Sequence, residues 1–171
     1  MNNKRIAHIL ENAAKIQKLY AAIESTAKNK KTAPKPWEKA TQDFHNAYDS
    51  LAFPGGLKNS LQLLKEQDPQ TVQSAIDFLQ ADPYFHRSGY IKEKIAGALK
   101  QISLSDEQIK QLQGVMLAAI EIEGRREFLE YCRLARKLSN KSFVQKLELI
   151  IKEPSSARAL QRATQMMQII K

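Results

Sequence analysis

Leu104-Ser-Asp-Glu-Gln-Ile109 carries the clearest helix start in the sequence. In a capping box, a Ser or Thr side chain accepts a hydrogen bond from the amide three positions later, and a Glu or Gln side chain at that position accepts one in return. Ser105 and Gln108 have this spacing, and Leu104 and Ile109 are placed as a hydrophobic staple around the box. The stretch therefore predicts a helix start at Ser105, and the apolar pattern that follows covers 109–122.

Apolar residues recur at the spacing of one helical face on both sides of this start. The segments predicted as helices in this way are 57–64, 72–79, 91–102, 125–138, 143–151 and a last one from Pro154 to Ile170. Two Asp-Pro pairs, Asp68-Pro69 and Asp82-Pro83, predict helix starts, because Asp accepts hydrogen bonds from first-turn amides and Pro there loses no needed donor.

The N-terminal part is predicted to contain two helices separated by a linker. Apolar spacing predicts a long helix over 3–26 and a second helix that carries Trp37 on its apolar face and ends at Phe53-Pro-Gly-Gly56. The segment 28–36 between them holds two prolines and four lysines, so it predicts a basic linker.

These patterns predict an all-α fold, since no run alternates apolar and polar residues and no Asn-Gly or Asp-Gly hairpin signal occurs. We expect short antiparallel helices, arranged either as an α-solenoid-like stack or as an irregular helical bundle. The length of 171 residues suits a single domain, 1–171. Within it, 1–53 is predicted as an N-terminal helical pair and 57–171 as stacked short helices.

Asp82 to Tyr90 resembles the turns between helices in HEAT-like α-solenoid proteins, and Arg125 to Ala135 resembles their arginine-rich inner helices. The resemblance covers roughly 57–170. It implies a curved stack with a concave face and a role in binding macromolecules. Some HEAT-like proteins are DNA-alkylation glycosylases that use tryptophan around the damaged nucleotide. The only tryptophan here, Trp37, lies outside the similar region, which argues against that activity.

The charge balance favours an acidic partner. The chain has 27 Lys and Arg against 18 Asp and Glu, and the excess lies in 1–53 and 139–171. Nucleic acid, an anionic membrane surface and an acidic protein all remain possible partners on charge alone. The single Cys132 excludes an internal disulfide and suits a reducing compartment, and no apolar run reads as a signal peptide or membrane span, so we expect a cytoplasmic protein.

The sequence predicts no catalytic, cofactor-binding or metal-binding residue. His8, His45 and His86 fall on different predicted segments, and no phosphate-loop, dinucleotide or nucleophile-elbow motif occurs. The densest polar group, here called the charge cluster, is Glu121, Glu123, Arg125, Arg126, Glu127, Glu130, Arg133, Arg136 and Lys137. A solvated face or inter-helix salt bridges explain it better than a working site does.

The leading hypothesis is a non-enzymatic helical interaction or scaffold protein that binds an acidic macromolecule. The alternative is nucleic-acid binding without sequence preference, with aromatic side chains near Tyr84 stacking on bases. The residues proposed to contact the partner are Lys28, Lys30, Lys31, Lys35, Tyr84, Arg87, Arg158 and Arg162. Two structural interpretations compete with these roles: the lysines form a solvated linker, and Tyr84, Phe85 and Tyr90 wedge a turn between helices.

Overall fold

The computed structural model describes residues 2–122 and 124–171, and every regular element within them is an α-helix. The all-α prediction is therefore confirmed. The helices are α1 (Asn2–Ala27), α2 (Pro34–Ala52), α3 (Leu57–Lys65), α4 (Pro69–Ala81), α5 (Ser88–Leu99), α6 (Asp106–Ile120), α7 (Phe128–Leu138), α8 (Lys141–Lys152) and α9 (Ala157–Ile170).

Two of the predicted helix starts are confirmed in atomic detail. The Ser105 hydroxyl accepts a hydrogen bond from the Gln108 amide at 3.3 Å, and the Gln108 side chain accepts one from the Ser105 amide at 3.0 Å. Asp68 accepts one from the Thr71 amide at 2.8 Å, with Pro69 as the first helical residue of α4. Local capping chemistry decided both boundaries.

The predicted start at Asp82-Pro83 is wrong. Asp82 has a left-handed backbone, φ 47°, and ends α4, with its amide donating to the Phe78 carbonyl at 3.2 Å. The chain then turns so that Phe85 is buried, and the Ser88 hydroxyl accepts a hydrogen bond from the Phe85 amide at 3.2 Å. Burial of an aromatic ring thus decided the boundary where local capping preference alone did not.

Two other predicted boundaries differ by a few residues. The linker ends at Ala33 rather than at residue 36, because Pro34 and Pro36 lie in the first turn of α2, where a missing amide costs little. The last helix begins at Ala157 rather than Pro154, since the Ser156 hydroxyl accepts from the Ala159 amide at 3.0 Å and caps it.

The described chain forms two compact units, Met1–Ser88 and Gly89–Lys171. In the first, α1 packs against α2 and α4, and α3 packs against both α2 and α4. This grouping differs from the predicted boundary between 1–53 and 57–171, because α3 and α4 share the core of the N-terminal pair. Fully buried side chains of this core are Ile16, Ala75, Ile76, Phe78 and Leu79.

In the second unit, α7 packs against α6 and α9, and α8 packs against α9. Ion pairs connect α5 and the residue after it with α7 and the residues just before it. The core is built from apolar side chains that are completely or almost completely buried. Among them are Ile95, Leu99, Leu112, Met116, Leu134 and Leu147.

Candidate functional site

A buried ion pair lies at the start of α7. Lys92 on α5 and Glu127, the residue that precedes α7, have side chains only 1% and 2% exposed, and their Nζ and Oε1 atoms are 3.6 Å apart. A guanidinium nitrogen of Arg125 lies 3.5 Å from the same Oε1. An added Cβ at Gly89 would lie 3.1 Å from Oε2 of Glu127, so this glycine leaves room for the carboxylate.

Further ion pairs lie on α5 and at the residue that follows it. Lys100 donates to Glu130 at 2.7 Å, Arg133 donates to the same carboxylate, and Arg126 donates to Glu93 at 2.8 Å. Burial on its own would raise the pKa of Glu130, but the hydrogen bonds and charges of Lys100 and Arg133 outweigh it and lower the pKa.

Much of the charge cluster thus forms salt bridges between helices, as the sequence interpretation favoured. Glu121 accepts a hydrogen bond from the Ser155 hydroxyl, and Glu123 lies outside the described residues. The remaining cations of the cluster, Arg136 and Lys137, lie on the last turn of α7.

These cations line an open cavity of about 590 Å³ in the second unit, here called the α7 pocket. Its lining residues are Lys100, Gln101, Leu129, Arg133, Arg136, Lys137 and Ile169. Four of the seven are cationic, and the carboxylate that pairs with two of them belongs to Glu130. The pocket therefore combines an excess of positive charge with two apolar side chains.

Lys137 connects the pocket to the segment that follows α5. Its ammonium donates hydrogen bonds to the carbonyls of Lys100 and Ile102, the second at 3.2 Å. Lys137 also lines an adjoining cavity of about 480 Å³, together with Lys110, Lys146 and Asp106. The two cavities therefore share Lys137 at the end of α7, and the second adds cations from α6 and α8.

The α7 pocket was not among the predicted sites. Arg133, Arg136 and Lys137 have the i, i+3, i+4 spacing that places them on one helix face, and this signal was available in the sequence. It was obscured because the acidic residues of 104–138 balance their charge. Most of those acidic residues lie at the start of α6 or before α7 in the sequence. The net charge summed over 104–138 therefore conceals the local excess of positive charge at the end of α7.

The predicted lysines lie in the first unit, at the connection between α1 and α2. Lys28, Lys30, Lys31 and Lys35 are all exposed. The Lys30 ammonium lies 3.6 Å from the centroid of the Trp37 ring, within cation–π range. Lys28, Lys30 and Lys31 thus lie in the turn between α1 and α2, and Lys35 lies in the first turn of α2. Their role toward a partner stays a prediction.

The three aromatic side chains of 82–90 have different environments. Phe85 is buried and its ring packs edge-on against Phe78 and Tyr48. Tyr84 is 78% exposed, and Tyr90 is partly exposed with the Arg126 guanidinium 3.9 Å from its ring centroid. The wedge interpretation is right for Phe85 and wrong for Tyr84.

His86 stacks on Tyr20, with ring centroids 4.2 Å apart and an interplanar angle of 14°. Its carbonyl accepts a hydrogen bond from the Tyr48 hydroxyl at 2.9 Å. Desolvation lowers the pKa of His86, the positive charge of Arg87 lowers it further, and Glu24 opposes both. Arg87 itself is exposed and has a left-handed backbone, φ 68°.

We expect Arg87→Gln to raise the pKa of His86, because the substitution removes a positive charge that disfavours protonation. The imidazole signals of His86, followed by NMR across pH 4 to 9, measure this pKa, and Lys35→Gln is the control. Because the folded-state pKa is lowered, His86 adds stability above the unfolded value of about 6.5, and this contribution is lost as pH falls through the folded pKa. A pKa unchanged by Arg87→Gln would contradict the assignment.

The two predicted arginines on α9 differ in their surroundings. Arg158 is exposed, whereas Arg162 is half-buried, donates to the Ala119 carbonyl at 3.2 Å and lies 4.9 Å from the centroid of the Phe128 ring. Arg162 therefore contributes to packing within the second unit. Whether either residue also contacts a partner stays a prediction.

The described residues supply few groups with other reactive chemistry. Cys132 is completely buried, and desolvation raises the pKa of its thiol to about 12. In 2–122 and 124–171, no three His, Cys, Asp or Glu side chains are grouped closely enough to hold a metal ion. Over the same residues, none of the helices combines the length and apolar content that crossing a bilayer requires.

The comparisons with known proteins add no relative to these observations. No protein-family model, curated protein sequence or solved structure matches this chain.

Proposed function

We propose that this chain is a non-enzymatic helical interaction protein whose α7 pocket binds an acidic macromolecular partner. The observation that carries the proposal is the pocket's composition: Lys100, Arg133, Arg136 and Lys137 are accompanied by a single paired carboxylate, that of Glu130. A concave surface lined by one sign of charge raises the local concentration of oppositely charged groups and speeds their association.

The proposal includes a HEAT-like arrangement of 57–170 and a cytoplasmic location. Successive short helices with brief connections support the first, as an analogy at the level of the fold. A single buried thiol, Cys132, is compatible with a reducing compartment and supports the second.

Nucleic-acid binding without sequence preference is the second candidate function, and it concerns the first unit. Tyr84 has 78% of its surface exposed, and four lysines are exposed at the connection between α1 and α2. Exposed aromatic rings can stack on unpaired bases while lysines contact phosphates.

Binding of two labelled acidic polymers tests both functions. We expect poly-glutamate to bind the full chain at low salt, measured by fluorescence anisotropy, and the double variant Arg133→Gln/Arg136→Gln to weaken this binding at least about tenfold, since each lost charge-assisted contact contributes substantially. The charge-matched control is Lys58→Gln/Lys152→Gln, which removes two exposed cations outside the pocket. This control is expected to bind as the unchanged chain does.

The second polymer is single-stranded DNA of similar length, measured over a range of salt concentrations. Affinity that falls steeply with salt and depends on Tyr84 would favour the second candidate function. If neither polymer binds at low salt, or if the control variant weakens binding as much as the pocket variant does, the proposed function is wrong.

A further inference from the structure

Arg136 differs from the other cations of the α7 pocket in having no hydrogen-bond or ion-pair partner among the described residues. Lys100 and Arg133 bind the Glu130 carboxylate, and Lys137 binds two backbone carbonyls. Arg136 is exposed and makes no ion pair or hydrogen bond with the residues that the structure describes. Its planar guanidinium is therefore available to a ligand without the loss of an existing interaction, and it suits a carboxylate bound through two parallel hydrogen bonds.

The number of available cations limits what the pocket can bind. Proteins that follow a nucleic-acid strand use many phosphate contacts along a groove together with aromatic rings on which bases stack. The pocket offers one uncommitted guanidinium, and none of its described lining residues is aromatic. This composition favours a ligand with a single anionic group at the pocket over a nucleic-acid backbone.

The apolar side chains beside Arg136 indicate the rest of the ligand. Leu129 lies four positions before Arg133 and seven before Arg136, on the same face of α7, and is 43% exposed. Ile169 of α9 is half-buried and lines the same pocket. A cavity of about 590 Å³ has room for more than a carboxylate. Arginine next to apolar anchors is a combination typical of the cores of protein–protein interfaces.

We propose that the α7 pocket recognises an acidic peptide segment of a partner protein, in which an Asp or Glu is adjacent to a large apolar residue. The peptide carboxylate binds Arg136, and the apolar side chain packs on Leu129 and Ile169. Lys100, Arg133 and Lys137 add a positive field around the carboxylate. This inference rests on the proposed function and specifies the class of its partner.

Short peptides with matched substitutions test the inference on the full chain. The probes are capped hexapeptides of Gly and Ser with Glu-Leu or Leu-Glu at the centre, and the controls replace Glu by Gln or Leu by Ser. Backbone amide signals of 129, 136 and 169 report binding in an NMR titration. We expect the Glu-containing, Leu-containing peptides to bind at least about tenfold more tightly than the Gln controls, as loss of a charge-assisted hydrogen bond implies.

The variant Arg136→Gln is expected to lose most of the preference for Glu over Gln, whereas Lys152→Gln is expected to keep it. Both residues are exposed helix positions, and urea unfolding of each variant checks that the fold is unchanged. Equal binding of the Glu and Gln peptides, or a preference that survives Arg136→Gln, would overturn the inference. An oligonucleotide that shifts the same signals at lower concentration would overturn the choice of a protein partner.

The inference and the proposed function fail in different ways. If the peptides do not bind but poly-glutamate binding still depends on Arg133 and Arg136, the peptide motif is wrong and the acidic partner remains. If poly-glutamate binding is also independent of these residues, both are wrong.

Discussion

Glu127→Ala is expected to lower the free energy of unfolding by about 3 to 5 kcal/mol, the cost typical of removing one partner from a buried ion pair. Lys92 is only 1% exposed, so the substitution leaves an ammonium group in the interior without the carboxylate that lies 3.6 Å away. Arg125, whose guanidinium is also close to this carboxylate, loses a partner at the same time. Urea denaturation of the full chain measures the change.

Glu93→Ala is the control for this prediction. Glu93 pairs with Arg126 at 2.8 Å, but both side chains are much more exposed, so its removal is expected to cost less than about 1 kcal/mol. The double variant Lys92→Met/Glu127→Leu should recover much of the loss, because it removes the fully buried ammonium together with its carboxylate. If Glu127→Ala costs no more than Glu93→Ala, the pair does not have the burial described above.

Leu99→Ala is expected to destabilise the chain by about 2 to 5 kcal/mol, through lost apolar burial and the cavity left behind. Leu99 is completely buried in the core of the second unit. The matched control is Leu149→Ala on α8, because this leucine is 62% exposed and its truncation should change stability by no more than about 0.5 kcal/mol. Similar unfolding midpoints for the two variants would contradict the assignment of Leu99 to the core.

The helix starts that could be predicted from the sequence are those decided by neighbouring residues. Ser105 with Gln108, and Asp68 with Pro69, form their caps from atoms within one turn. Asp82 has the same local signal as Asp68, yet it ends a helix. Phe85, three residues after Asp82, is buried against the rings of Phe78 on α4 and Tyr48 on α2. The contact with Tyr48 joins residues 37 positions apart, which a local pattern does not contain.

The candidate site depends on contacts between residues distant in sequence. The spacing of Arg133 and Arg136 on one face could be predicted, but the presence of Lys100 and Ile169 in the same pocket depends on how α5 and α9 pack around α7. Lys92 depends even more clearly on a contact with a residue distant in sequence. Its charge predicts exposure, and its burial follows from the Glu127 carboxylate contributed by a segment 35 positions later in the chain.

Lys137 has two roles that share one ammonium group. It lines the α7 pocket and also binds the carbonyls of Lys100 and Ile102, in the segment between α5 and α6. A ligand that draws this ammonium into the pocket takes it away from those carbonyls. By thermodynamic linkage, any binding energy gained through Lys137 is reduced by the energy of the backbone contacts it gives up, and the amides around 100–104 should then exchange with solvent faster when the pocket is occupied.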